Sequence, residues 1–151
     1  MPPTLIRLAH VLRKLWWKIA RPQTLGVKVL VRNARGEILL VMPVNASTWQ
    51  IPGGGVERYE HPAGAGAREI CEETAIQIAR SALVLEDVFI NKHEGKSDCV
   101  ILYSTQADDP VPQADGTEIS EAKFFSPSEL PLNAAGSVHR RLAGESINGA
   151  W

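Results

Sequence analysis

Four carboxylates, Glu60, Glu69, Glu72 and Glu73, fall within fourteen residues that are otherwise rich in glycine and alanine. His61-Pro62 marks a helix start, because a proline at the first helical position lacks only an amide that would be unpaired anyway. On the helix that follows, Ala63, Ala67, Ile70, Cys71 and Thr74 supply a narrow face of small or apolar residues for packing on a sheet. Glu69, Glu72 and Glu73 are three and four residues apart, so their side chains share a surface on which like charges repel unless something compensates them. A divalent cation would do so. Oxygen ligands with no histidine or cysteine among them suit Mg2+ or Mn2+, ions that keep part of their shell for water and substrate phosphates. The preceding Gly53-Gly54-Gly55 allows positive backbone torsions and close approach of the chain to a bound group, so these glycines are candidate substrate-binding residues.

Read from Gly54, the order is glycine, five residues, Glu60, seven residues, Arg68-Glu69, Ile70, one residue, Glu72-Glu73, one residue, Ala75, Ile76. This closely resembles the Nudix box of the Nudix hydrolases, which cleave nucleoside diphosphates linked to another moiety. Chance would match these positions in about one chain in a million of this size. The departure is Ala75, where the family has a glycine; a left-handed residue is expected there, at a cost to alanine of about 1 kcal/mol.

The resemblance implies roles. Glu69, Glu72 and Glu73 match the family's metal ligands, Glu60 supports the metal from just before the helix, and Arg68 holds a box carboxylate by ion pair. Glu72 or Glu73 is the first choice of general base. Glu121 is the second, with Glu118 competing for the place of a distal acid, and each could equally be an ordinary charge on the outer face of a strand. The implied reaction is magnesium-assisted attack of water at phosphorus on a small-molecule nucleoside diphosphate derivative. A degenerate module that binds a nucleotide or a protein without hydrolysis is the alternative, favoured only by Ala75 and by Gly64 and Gly66 inside the helix.

Certain elements must position these residues. Strand-like runs at 24–32 and 37–42 pair as a hairpin, TWQI leads extended into the glycine loop, and runs at 82–91 and 98–106 form a second hairpin. A polar stretch at 107–116, a strand at 118–125 and short helices at 126–131 and 137–143 complete the chain. The family implies an α/β/α sandwich around a mixed sheet. Trp49 reads as core.

Outside that resemblance, Leu5, Leu8, Leu12, Leu15, Trp16 and Ile19 recur at helical spacing opposite Arg7, Lys14, Lys18 and Arg21, so residues 1–22 read as an amphipathic basic helix preceding a Nudix domain at 23–151. Its stripe suits packing on the domain or on a second subunit in a homodimer; contact with a membrane surface is the less favoured fate.

The 151 residues are 44% hydrophobic, enough for one domain with its own core. A formal net charge of −1 gives no global field for duplex nucleic acid. Cys71 and Cys99 read as free buried thiols, and with no signal peptide or membrane span in the sequence a cytoplasmic location is expected.

Overall fold

The computed structural model describes residues 23–93 and 96–144. The expected N-terminal helix lies outside the described residues. Val, Ile and Leu alternate or run together in the strand segments, and the chain pairs them as β1 (Gln23–Asn33), β2 (Ile38–Pro43), β3 (Val84–His93), β4 (Lys96–Ala107) and β5 (Ile119–Phe125). Their order is β3-β4-β1-β2-β5. β1 and β4 run parallel from Gln23↔Ser97 to Asn33↔Ala107 while every other neighbour pair is antiparallel, so the sheet is mixed.

One helix packs on each face. Helix α1 (Pro62–Thr74) covers Val27, Val29, Val31 and Leu39 with Ala63, Ala65 and Ile70. Helix α2 (Gly136–Leu142) places Val138 against Leu30, Leu40, Trp49, Ile51, Phe89 and Leu102 on the other face. Trp49 is buried there, edge-on to Phe125 at 4.8 Å between centroids.

Three sequence expectations need correcting. Cys71 is exposed, because α1 meets the sheet through Ala63, Gly66, Ile70 and Thr74, a stripe that leaves Cys71 on the solvent side; Cys99 is only partly buried. Residues 126–131 form turns rather than a helix, tied by the Glu129 N–H donating to Ser126 O, in keeping with the two prolines of that stretch. Glu73, expected on the polar face, is buried.

Gly66 has a packing reason inside the helix. A Cβ there would stand 3.0 Å from a Val29 methyl, 3.2 Å from Leu83 and 3.3 Å from Val27, so glycine sets how closely α1 approaches β1. Ala75 caps α1 at φ 58, ψ 8, left-handed as the motif implies, with its N–H donating to Cys71 O. Ala75→Gly is therefore expected to be neutral or to stabilise by up to about 1 kcal/mol. Gly66→Val should destabilise by about 1–3 kcal/mol through overpacking. Urea denaturation of both variants checks this pair, and a clear loss of stability in Ala75→Gly would contradict the cap reading.

Candidate active site

The glycine loop is built into the sheet. Val27 N–H donates to Gly54 O (2.9 Å), Val29 N–H to Pro52 O (3.0 Å) and Val56 N–H to Leu25 O (2.9 Å), while Gln50 pairs with Val41 of β2. The chain from Gln50 to Val56 thus lies between β1 and β2 and satisfies backbone groups that those strands would otherwise exchange with each other. Gly53 takes φ 135 with its α-carbon pressed on β1, where a Cβ would stand 2.1 Å from Val27 O. Only glycine fits.

Beneath this loop runs α1. The Gly53 N–H donates to Glu73 Oε2 at 2.9 Å, and the Glu69 carboxylate lies so close to Gly54 that a Cβ there would meet Oε1 at 2.5 Å. Lys28 of β1 reaches the same place, its Nζ donating to Gly53 O at 3.0 Å. No spacing rule pointed to Lys28. A lone lysine between valines reads as the solvent side of a strand, and only the loop's position beside β1 turns it inward.

Arg68 braces the cluster. Its Nε and Nη2 grip both oxygens of Glu60 at 2.9 and 3.0 Å, Nη1 donates to Glu69 Oε1 (3.0 Å) and Glu72 Oε2 (2.9 Å), and Nη2 also donates to Gly55 O (3.0 Å). These are charge-assisted bonds in bidentate geometry, among the strongest polar contacts a folded chain makes. Glu60, which also accepts from the Glu57 N–H, is held near pKa 2, first by Arg68.

The two inner carboxylates are both raised, opposite to Glu60. Burial pushes Glu73 up to about 7 against the pull of Lys28 and the Gly53 N–H, with Glu69 and Asp115 adding repulsion. Burial also raises Glu69, with Arg68 opposing and Glu72 and Glu118 reinforcing. Lys28 is pushed down by its own burial, against Glu73 and Glu69.

The distal acids divide. Asp115 accepts from the N–H groups of Thr117, Glu118 and Ile119 at 2.8, 3.0 and 2.9 Å, and Gln113 N–H ties the same loop to Thr74 O at the end of α1. That anchoring brings Glu118 within electrostatic reach of Glu69 and Asp115 within reach of Glu73. Glu121 is exposed on β5, ion-paired with Lys123.

Among the described residues, no three acidic, histidine or cysteine side chains converge into a cage for a metal ion. Arg68 instead supplies the compensating charge between Glu69 and Glu72. The donor chemistry still fits a hard divalent ion: Glu69 and Glu73 offer carboxylate oxygens whose charged form is disfavoured by burial and mutual repulsion, a penalty that a cation relieves.

The NUDIX domain model matches residues 22–143. The chain belongs to the Nudix hydrolase family. A Bacillus subtilis protein that carries the provisional name 8-oxo-dGTP diphosphatase is 35% identical over 127 residues, 84% of this chain and 82% of that one. An RNA pyrophosphohydrolase of Roseobacter denitrificans is 38% identical over 72 residues, 46% of this chain and 45% of its own. The fold matches the crystal structure of a MutT Nudix hydrolase from Burkholderia pseudomallei at a TM-score of 0.70 and 23% identity, over 81% of this chain and 97% of that one.

The raised Glu73 fixes a pH dependence. A carboxyl whose folded pKa lies above its unfolded value contributes stability that is complete below the unfolded value and lost as pH rises through the folded one. In chelator, unfolding free energy should therefore fall between about pH 4.5 and pH 7 on account of Glu73, and Glu73→Gln should remove that part of the slope. Denaturant titrations across this range check it; an identical slope in the variant would contradict the burial argument.

Proposed function

We propose that this Nudix protein hydrolyses the diphosphate linkage of a nucleoside diphosphate derivative with Mg2+, or Mn2+ in its place. The observation that supports this most is the crowding of Glu69 and Glu73 under the Gly53–Gly55 loop, with Arg68 tying Glu60, Glu69 and Glu72 into one array. Glu69, Glu72 and Glu73, with Glu60 in support, would hold the metal. Bound there, the ion supplies a lowered pKa for the attacking water and neutralises charge on the diphosphate.

The chain's own residues do the rest. Arg68 is a positioning residue that holds the carboxylates at fixed angles, so little reorganisation is left to the moment of reaction. Lys28 fixes the Gly53 carbonyl and adds positive charge beside Glu73. Gly53 and Gly54 let the loop press on β1 and over the Glu69 carboxylate with no Cβ between, and Gly55 leaves open space where a diphosphate would lie. Water attacks phosphorus, its oxygen forms the new bond as the bridging phosphorus–oxygen bond breaks, and a carboxylate of the cluster takes the water's proton. For the distal acid we take Glu118, since its loop is pinned to α1 while Glu121 is engaged by Lys123. Among substrates, a nucleoside triphosphate is favoured. The relative named for 8-oxo-dGTP aligns over most of both chains, whereas the match to the RNA pyrophosphohydrolase spans less than half of each.

Turnover of nucleoside triphosphates, oxidised purine triphosphates, nucleotide sugars and 5′-triphosphate RNA with Mg2+ tests this reading. Glu73→Gln should lower turnover at least about a hundredfold with the fold intact, and Glu118→Gln should lower it more than Glu121→Gln. Full activity of Glu73→Gln with Mg2+ would show that the helix carboxylates are not the metal ligands.

A further inference from the structure

The α1 side of the sheet is only partly covered. Side chains in register on that face are Leu25, Val27 and Val29 of β1, Cys99, Ile101 and Tyr103 of β4, and Leu85, Val88 and Ile90 of β3. Helix α1 lies over the β1 rows, and Gly66 brings it down on Val27 and Val29. Beyond its flank the face is bare: Leu85 is 57% exposed, Val88 46%, Ile90 48% and Leu25 38%, with Cys99 and Ile101 half-buried between them. This apolar row belongs to the edge strand, where uncovered hydrophobic surface invites association. An α/β layer is ordinarily closed by helices along its full width.

We infer that residues 1–22 of the same chain close this gap, laying the Leu5–Ile19 apolar stripe across β3 and β4 beside α1. This goes beyond the catalytic reading and does not depend on it. Three features of the chain support the assignment. The segment joins the domain at the right corner: Gln23 begins β1 opposite Ser97, and two residues later Leu25, Cys99 and Ile90 form the first row of the bare patch. The lengths agree, since a helix from Leu5 to Ile19 is about 22 Å long and the β3 row from Ile90 to Leu85 runs about 17 Å. Ala20, Arg21 and Pro22 remain as a connection of up to about 10 Å, enough to lift the chain from the sheet plane onto its face. Docked this way, the stripe meets the patch and the basic side chains Arg7, Lys14 and Lys18 face water.

Hydrogen exchange on the full chain, with mass measured by light scattering, tests the assignment from both sides. The unaltered protein should be a monomer with the amides of Leu5–Ile19 protected. Val88→Glu with Ile90→Glu should cut that protection at least tenfold. So should Leu12→Glu with Leu15→Glu, which leaves the described domain unaltered and raises exchange in β3 as the cover lifts. Unprotected amides in the unaltered monomer would overturn the inference. So would a dimer that either pair of substitutions dissociates, which would assign the face to a second copy, or protection that arises only with anionic phospholipid vesicles, which would assign the stripe to lipid.

Discussion

One guanidinium holds the carboxylate cluster in shape. Arg68 sits on α1, yet its bonds reach Glu60 before the helix, Glu69 and Glu72 along it, and the Gly55 carbonyl in the loop above. Three carboxylates this close would spread apart without it, and the loop would keep only the Gly53–Glu73 bond of its two polar ties to the helix. The arrangement is tolerable because the charges stay partly hydrated, so the desolvation that makes a deeply buried ion array costly is only partly incurred here. Glu73 lies outside Arg68's grip. It depends instead on one backbone N–H and the charge of Lys28, which do not offset its burial.

The backbone of the loop carries as much of the design as the charges do. Because the chain from Gln50 to Val56 takes the place of a strand between β1 and β2, its glycines are fixed by sheet hydrogen bonds rather than by contact with a ligand. Gly53 presents its N–H to Glu73 and its carbonyl to Lys28, two polar groups facing opposite charges from one peptide neighbourhood. A loop held this way keeps its shape without a bound ligand.

How far the sequence foretold this varies with the range of the interaction. Helix α1, its carboxylate spacing and the left-handed Ala75 were legible because each is set within a few residues by periodicity, by the helix start at Pro62 and by the motif. The β3–β4 hairpin was legible from its runs, whereas β1 and β2 pair only beside their turn, at Arg32↔Ile38, because the chain from Gln50 to Val56 enters between them. The parallel pairing of β1 with β4 was not, since nothing local says which edges of two hairpins will meet. Lys28 escaped notice for the same reason: its importance comes from a loop more than twenty residues away. Cys71 and Glu73 depart from their expected surroundings because α1 meets the sheet through Ala63, Gly66, Ile70 and Thr74, with Gly66 lying against Val27 and Val29. Glu118 and Glu121 could not be separated from the strand pattern alone. What separates them is the turn in which the Asp115 carboxylate accepts three backbone N–H groups, and the backbone tie of Gln113 to α1, a long-range contact that a sequence does not display.

The claim on which the rest depends is that Glu73 is a desolvated carboxyl poised for a cation. Carboxyl carbon NMR of selectively labelled protein would measure its titration directly, with and without Mg2+. The expected result is a midpoint of about 7 in chelator that falls well into the ordinary carboxylate range or below when Mg2+ is added. A midpoint near the ordinary glutamate value in chelator, unmoved by Mg2+, would contradict the account.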